Sequence, residues 1–155
     1  MKSLTEFLEE KQEDVGRDME EKILSDNSWD DIHPKITSVA RSRYESLHYA
    51  DAVEAAFKEV NNCVKEIVRR KTSRELDGAA LMRAAFSPSN PLIVLDDLST
   101  QSGRNIQEGY MVIFAGAMIS IRNHKAHYNL DVKDKRAKHL IYLASLLMNK
   151  IDERI

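Results

Sequence analysis

An all-α fold, a bundle of four to five helices with an additional acidic helix in front of it, is predicted from three observations. Apolar residues recur at steps of three and four along most of the 155-residue chain, which is the period of an α-helix. Stretches with turn chemistry, such as "SDNSWDDIHP" and "SPSNP", separate these segments. Only "LIVLDDL" at 92–98 reads as extended, and no second apolar run offers it a partner strand.

The charge distribution divides the chain into two parts. Residues 1–31 carry eleven acidic and four basic side chains, whereas the remaining residues carry fourteen acidic and nineteen basic ones. We therefore predict an acidic amphipathic helical segment and linker at 1–31 and a helical domain at 32–155. The length and the 43% hydrophobic content suffice for one domain with a core. The basic body is compatible with a polyanionic partner such as nucleic acid.

A cytoplasmic protein without membrane contact and without cofactor is expected. Cys63 is the only cysteine, so an internal disulfide and a cysteine-ligated zinc site are excluded, and it is interpreted as a small buried apolar group. No apolar run approaches the roughly 18 residues of a membrane span. The start, "MKSLTEFLEEKQED", is acidic where a secretory signal would be basic and then apolar.

The helices of the domain are bounded by capping and breaking residues. They are predicted from Pro34 through Leu47, at 49–71, from Asp77 to about Phe86, at about 103–124, and after Asp131. Pro34 suits a first helical turn, His33 is interpreted as a cap, and Asp77 and Asp131 are predicted N-caps. The last helix is predicted to turn inward Ala137, Leu140, Ile141, Ala144, Leu147, Met148 and Ile151.

The helix at about 103–124 has no polar face over 110–119, which indicates a helix surrounded by protein on every side. Gly109 and Gly116 fall within about 20 degrees of each other on an ideal helix, so they open a groove for another backbone. A small monomeric bundle rarely encloses a central helix completely. We therefore expect a homodimer that packs along this helix, with Gly109, Ile113 and Gly116 at the packing surface.

This apolar helix runs into a polar cluster, "SIRNHKAHYN" at 120–129. Arginine and histidine five positions apart are a weak signal, because Arg43 and His48 have the same spacing and are interpreted as ordinary helix surface. The cluster at Arg122 and His127 differs because an asparagine follows the arginine directly and because a buried helix ends there. Five residues turn an ideal helix by about 140 degrees, so these two side chains share a face only if the helix ends or distorts between them, for instance near His124.

"IRNHKAH" resembles the R-N-x-x-x-H signature of HEPN domains, and the wider chain resembles the Ymh-like branch of that fold over about 32–153. The segments that carry the resemblance are "IHPKI" at 32–36, "HYADAVEAAFKEV" at 48–60, "DGAALMRAAF" at 77–86, "QEGYMVIFAGA" at 107–117 and "LIYLASLLMNKID" at 140–152. The resemblance implies an all-helical module and a metal-independent endoribonuclease. It also implies a toxin or antiviral-defence effector, with a protein partner or antitoxin as a further option.

The resemblance implies a catalytic set of Arg122, Asn123 and His127, and the chemistry suits these side chains. Cleavage without a metal requires that the 2'-hydroxyl lose a proton, that the phosphorane charge be stabilised and that the leaving oxygen be protonated. Imidazole titrates near neutrality and suits proton transfer by His127. Guanidinium is permanently charged and suits the phosphate, so this role falls to Arg122. Asn123 would orient the histidine or a phosphate oxygen, and a second copy of the motif across a two-fold axis would supply the other proton-transfer group.

A set of side chains around and after the motif is a candidate RNA-binding surface. Its predicted members are Lys125, Tyr128, Lys133, Lys135 and Arg136, with Lys138 beside them. Basic side chains neutralise phosphates, and a tyrosine stacks on a base. The alternative is that the basic run at 133–138 is the solvated face of a helix's first turns. Some HEPN toxins carry a modified tyrosine two residues after the histidine, where this chain has Asn129.

Two other interpretations stay open. In the first, the protein is a catalytically silent module for dimerisation or partner docking, Arg122 bridges to an acid of a neighbouring helix, and Asn123 caps the ending helix. In the second, His124 and His127 hold a metal with Asp131 or His139 in a metal-dependent hydrolase, although two histidines without a firm third ligand make a weak site. The sequence contains no glycine-rich phosphate loop and no nucleophile elbow.

Overall fold

The computed structural model of the protein describes residues 29–122 and 132–155. These ranges contain five helices: α1 (Pro34–Glu45), α2 (Tyr49–Lys71), α3 (Gly78–Ala85), α4 (Gln101–Ser120) and α5 (Asp134–Asp152). They contain no strand, so the predicted all-α bundle is confirmed. His33–Ile155 form one compact unit. The predicted acidic helix at 1–31 lies almost entirely outside the described residues.

The long helix α2 is the centre of the bundle, since α1, α3, α4 and α5 all contact it. It covers the residues predicted for it, 49–71. Its buried face consists of Ala52, Val53, Ala56, Phe57, Val60, Asn61, Val64 and Val68. This face follows the helical period closely, with one polar residue among the apolar ones. Basic residues occupy its last turn, Arg69 to Lys71, where they interact favourably with the helix dipole.

His33 fixes the start of α1 and ties it to α5. Its Nδ1 accepts a hydrogen bond from the Lys35 backbone N–H at 3.1 Å, which confirms the predicted cap. Because Nδ1 accepts, Nε2 carries the proton and donates to Asp152 Oδ2 at 2.8 Å. The His33 backbone N–H donates to Ser145 Oγ at 2.8 Å. α1 ends at Glu45, two residues before the predicted end, since Leu47 adopts a φ of 64° and cannot continue the helix.

The connection between α3 and α4 is held by a buried glutamine of α4. Gln107 donates from Nε2 to the carbonyl oxygens of Phe86 and Ile93, and its Oε1 accepts from the Leu95 N–H. The run at 92–98 is therefore an apolar loop and not a strand, with Ile93 and Leu95 buried. Because Gln107 pairs the backbone groups of Phe86, Ile93 and Leu95, this segment can be buried without a sheet partner.

The N-terminus of α4 is closed by Thr100, whose Oγ1 accepts from the Gly103 N–H at 2.9 Å. A Cβ at position 103 would lie 1.9 Å from the Asp97 carbonyl oxygen, so only glycine allows this close approach. Both features start the helix at Gln101, two residues before the predicted position.

α5 begins at Asp134 with Lys133 in the N-cap position; the predicted cap Asp131 lies outside the described residues. Of the residues predicted to turn inward, all are buried except Leu140, which is half-buried. Cys63, predicted to be a buried apolar group, is only half-buried. This burial is the main cause that raises the pKa of its thiol. None of the helices in the described ranges is long and apolar enough to cross a membrane.

Candidate functional site: an arginine anchored at the end of α4

The apolar helix α4 ends before Arg122. Ser120 Oγ donates to the Gly116 carbonyl at 2.7 Å, and the Ile121 N–H donates the last helical hydrogen bond, to Ala117, at 3.0 Å. The predicted end at about residue 124 is therefore wrong by four residues. A serine hydroxyl that binds back to the preceding turn competes for a helical carbonyl and loosens the helix end. Arg122 therefore lies beyond the last turn of α4 and not on one of its faces. The rotation of about 140 degrees expected over five residues of a continuous helix does not apply to a side chain outside the helix.

Arg122 is held by an acid and an amide from two other elements. Its Nη1 donates to Asp77 Oδ2 at 2.8 Å and to Asn61 Oδ1 at 3.2 Å. Its side chain is 19% exposed. Hydrogen bonds with a charged donor or acceptor are roughly twice as strong as neutral ones. The guanidinium is thus fixed between α2 and the start of α3.

Asn61 is the buried centre of this polar network, with 1% of its surface exposed. Its Nδ2 donates to Asp77 Oδ1 at 2.9 Å, and its Oδ1 also accepts from the Gly78 backbone N–H at 3.0 Å. A buried amide is stable only when its donors and acceptors are paired. Gly78 has a φ of 58°, and a Cβ there would lie 3.5 Å from Arg122 Nη1. The backbone turn that brings the Gly78 N–H to Asn61 therefore needs a residue that tolerates positive φ.

Asp77 remains ionised because of its partners. Burial by itself would raise the pKa of Asp77, but hydrogen bonds from Asn61 and Arg122 and the charges of Arg122 and Lys65 outweigh it and lower that pKa. Lys65 Nζ lies 3.7 Å from Asp77 Oδ1. Asp77 occupies the predicted N-cap position of α3, yet its side chain makes no capping hydrogen bond. The carboxylate binds Asn61 and Arg122, and Asn61 accepts from the first N–H of α3.

One edge of the anchored guanidinium makes no hydrogen bond to the described residues. The two hydrogen bonds to Asp77 and Asn61 both come from Nη1, and within the part of the chain that the structure describes nothing accepts from Nε or Nη2. An arginine offers five N–H donors in a planar fork, and the Nε–Nη2 edge can form a bidentate pair with a phosphate or a carboxylate. Chemically, the arrangement is a fixed cation with one edge committed to the protein.

The structure describes only some of the other predicted site residues. Asn123, Lys125, His127 and Tyr128 lie outside the described residues, so their position relative to Arg122 is not part of the site as described. Lys133, Lys135 and Arg136 are exposed in the first turn of α5. Lys138 lies 3.7 Å from Asp134 and 5.7 Å from the centre of the Tyr44 ring, so it has partners within the chain.

One face of α4, defined by Gly109, Val112, Ile113, Gly116 and Ile119, is exposed and apolar. Val112 is 60%, Ile113 45% and Ile119 51% exposed. A Cβ at Gly109 or Gly116 would meet nothing within 4 Å, so the residues that the structure describes do not fill the predicted groove. Among the described residues, protein therefore covers one side of α4 only, and the predicted enclosure of the helix is not achieved by these residues alone. Its buried face, with Gln107, Phe114 and Met118, packs on the bundle.

The alternative prediction was a metal site. The described residues contain no group of three histidine, cysteine, aspartate or glutamate side chains able to hold a metal. His139 is exposed on α5. The other predicted ligands, His124, His127 and Asp131, lie outside the described residues. Arg43 and His48 are both exposed, as expected for an ordinary surface pair.

Asn61 was missed by the sequence interpretation, and Asp77 was recognised only as a cap. A signal for Asn61 exists, because it is the one polar residue in a register that otherwise contains Phe57, Val60, Val64 and other buried apolar residues. A polar residue in the apolar stripe of a helix indicates a buried hydrogen-bonding partner. Its partners cannot be read from the sequence.

Fold and site together define a small all-α bundle in which a buried asparagine and an aspartate hold an arginine just after the end of α4. The chain belongs to the family described as protein of unknown function (Hypoth_ymh), whose model matches residues 30–151. No curated protein and no solved structure matches the chain.

Proposed function

We propose that this protein is a metal-independent endoribonuclease of the HEPN type, which cleaves RNA by attack of a 2'-hydroxyl and leaves a 2',3'-cyclic phosphate. The observation that carries the proposal is the anchored guanidinium of Arg122. Its Nη1 is bound to Asp77 and Asn61, while Nε and Nη2 have no acceptor among the described residues. A donor held in place before the reaction stabilises developing phosphorane charge without paying for its own reorganisation. The HEPN resemblance favours a toxin or an antiviral-defence effector.

The remaining roles come from the resemblance. His127 transfers protons and Asn123 orients either the imidazole or a phosphate oxygen. Lys133, Lys135 and Arg136, exposed at the start of α5, together with Lys125 and Tyr128, bind the RNA strand beside the scissile bond. Phosphate contacts of this kind make affinity fall as salt rises.

The proposed partner of the apolar face of α4 is a second copy of this chain. The segment 109–120 carries no charged residue, so two copies meet there without like-charge repulsion. Ile113 lies between Gly109 and Gly116 on the same face, three and four residues away. A two-fold axis near Ile113 therefore lets the side chain of one copy enter the glycine groove of the other. Two copies of the motif then contribute to the proposed nuclease.

The nuclease is tested with purified protein, excess chelator and a pool of single-stranded RNA oligonucleotides of random sequence. We expect cleavage that survives the chelator and yields 2',3'-cyclic phosphate ends. His127→Ala and Arg122→Ala should each lower the rate at least about 100-fold, the usual contribution of a proton-transfer group or a charge-stabilising donor. The matched control is Arg43→Ala with His48→Ala, which removes the exposed pair of the same spacing and should leave cleavage unchanged.

Three results overturn this proposal. Cleavage that stops in chelator indicates the metal-dependent hydrolase, and cleavage that persists in His127→Ala indicates a contaminating nuclease. Intact RNA under all conditions supports the second candidate, a silent module for dimerisation or docking. A specific observation favours that candidate: the ion pair with Asp77 already gives Arg122 a structural partner on a neighbouring element, and the exposed face of α4 suits an interaction module.

A further inference from the structure

We infer that Asp77 and Asn61 are positioning residues, which hold one edge of the Arg122 guanidinium so that its Nε–Nη2 edge faces a phosphate of the RNA. The inference rests on the proposed nuclease function but concerns residues to which that proposal gives no role. Arg122 follows a helix end, where a long side chain would otherwise sample many rotamers. Two fixed acceptors on its Nη1 remove most of that freedom.

The choice of acceptors suits a positioning role better than a simple salt bridge. Asp77 Oδ2 bonds Arg122 while its Oδ1 is occupied by Asn61 Nδ2. Asn61 is itself fixed by burial and by the Gly78 N–H. Each atom that touches the guanidinium is thus held by a further contact, which is how preorganised sites keep their geometry.

The side chain of Asp77 does not cap α3, although Asp77 occupies the N-cap position. Aspartate is among the best N-cap residues, but at the start of α3 its side chain makes no capping hydrogen bond. Aspartates that only stabilise a helix end bind the N–H groups of its first turn. This carboxylate bonds an arginine 45 residues away in the sequence instead.

The decisive substitution is Asp77→Asn, with Asp77→Ser as a second variant. Both residues are good N-caps, so the start of α3 is preserved, and Ser additionally cannot reach Arg122. Glu75→Gln is the matched control: it removes a carboxylate from the same connection, where Glu75 bonds Arg69 at 2.8 Å and lies 3.9 Å from Lys65. Melting temperatures establish that every variant is folded.

Two readouts are combined. The first is kcat and KM on one oligonucleotide from the cleaved pool, where we expect kcat to fall about 10- to 100-fold in Asp77→Asn, as for other misplaced catalytic groups, with KM little changed. The second is the nitrogen-15 spectrum of the guanidinium, assigned by its loss in Arg122→Lys. Separate Nη1 and Nη2 signals in the wild type should merge in both Asp77 variants and stay separate in Glu75→Gln, because a hydrogen-bonded guanidinium rotates slowly.

The outcomes separate this inference from the nuclease proposal. If the wild type cleaves RNA and Asp77→Asn does so equally well, or if the Arg122 signals do not change in either Asp77 variant, the positioning role is overturned. If the wild type cleaves no RNA, the nuclease proposal fails, and the spectrum alone decides whether Asp77 holds the guanidinium. A fall in kcat together with merged signals, absent from Glu75→Gln, supports the inference.

Discussion

At the scale of single residues, the carboxylate of Asp77 joins three parts of the bundle. One oxygen accepts from Asn61 of α2, the other accepts from Arg122 beyond α4, and the backbone starts α3. Its stabilising effect depends on charge, because a protonated carboxyl loses its ion pair with Arg122. Stability therefore depends on the protonation of this one group.

The lowered pKa of Asp77 predicts a pH dependence of stability. A group whose pKa is lower in the folded than in the unfolded chain stabilises the fold above its unfolded pKa. That contribution is complete above about pH 4, the ordinary value for aspartate, and is lost as the pH falls through the lowered pKa of Asp77. We expect the melting temperature of Asp77→Asn to lie below that of the wild type at neutral pH and to approach it as the pH falls below about 4.

A substitution without a titrating group serves as the control. Gln101→Ala changes an exposed residue of α4, and its effect should be independent of pH. A gap between the wild type and Asp77→Asn that keeps its size well below the ordinary aspartate pKa would show that charge on Asp77 does not stabilise the fold.

The sequence predicts Arg122 as a site residue but not its partners. The "RN" pair after an apolar helix draws attention to the arginine, since a charge there needs a reason. Asn61 and Asp77 lie 61 and 45 residues away from it, and no periodicity links these positions. Contacts of such separation depend on how helices pack, which a local pattern does not specify.

At the scale of elements, the single side chain of Gln107 holds the connection between α3 and α4. It satisfies two carbonyl groups and one N–H of the connection between α3 and α4. Gln107→Ala would leave these buried backbone groups without partners, each at a cost of about 1–3 kcal/mol. We expect a loss of roughly 3 kcal/mol or more in the free energy of unfolding, measured by denaturation with urea.

Gln101→Ala on the same helix provides the comparison. Gln101 is exposed and bonds only surface neighbours such as Asn105, so its removal should cost no more than about 0.5 kcal/mol. Similar losses in the two variants would mean that the loop at 87–100 is held by its apolar residues and not by the glutamine.

Helices with a regular apolar stripe were predictable, and their ends were less so. α2 matches its predicted range because its buried stripe keeps the helical period from Ala52 to Val68, with Asn61 as its one polar member. The end of α4 at Ser120 was missed because the apolar sequence continues through Ile121, so hydrophobicity marks no boundary. Two side-chain contacts accompany the end of the helix: the hydrogen bond from Ser120 Oγ to the Gly116 carbonyl and the ion pair of Arg122 with Asp77. Both depend on side-chain geometry.

At the scale of the whole molecule, α4 combines a buried and an exposed face that are both apolar. The exposed face bears Val112, Ile113 and Ile119. Contiguous exposed apolar surface of this kind marks interaction sites in proteins. The sequence indicated that one chain cannot enclose α4, but it could not indicate which side would remain open, since nothing in a helix without a polar face distinguishes its sides.

This open face predicts a homodimer that depends on Ile113 and Gly116. Ile113→Asp places a charge in the proposed contact, and by two-fold symmetry it does so twice. We expect the dissociation constant of the dimer to rise by about 100-fold or more, since each loss of about 1.4 kcal/mol is a factor of ten and a buried isoleucine contributes about 1.5–3 kcal/mol. Sedimentation velocity over the micromolar range measures the change.

Gly116→Leu tests the groove itself without disturbing the monomer. A Cβ at position 116 meets nothing within 4 Å in the chain, and leucine favours a helix by up to about 1 kcal/mol relative to glycine. The variant should therefore melt no lower than the wild type as a monomer and yet associate less well, because leucine fills the space that Ile113 of the second copy would enter. Leu47→Asn, at an exposed leucine with positive φ, removes apolar surface elsewhere and should leave association unchanged. A wild type that sediments as a monomer throughout, or a Gly116→Leu variant that dimerises as tightly as the wild type, would show that a second copy does not occupy the face of α4.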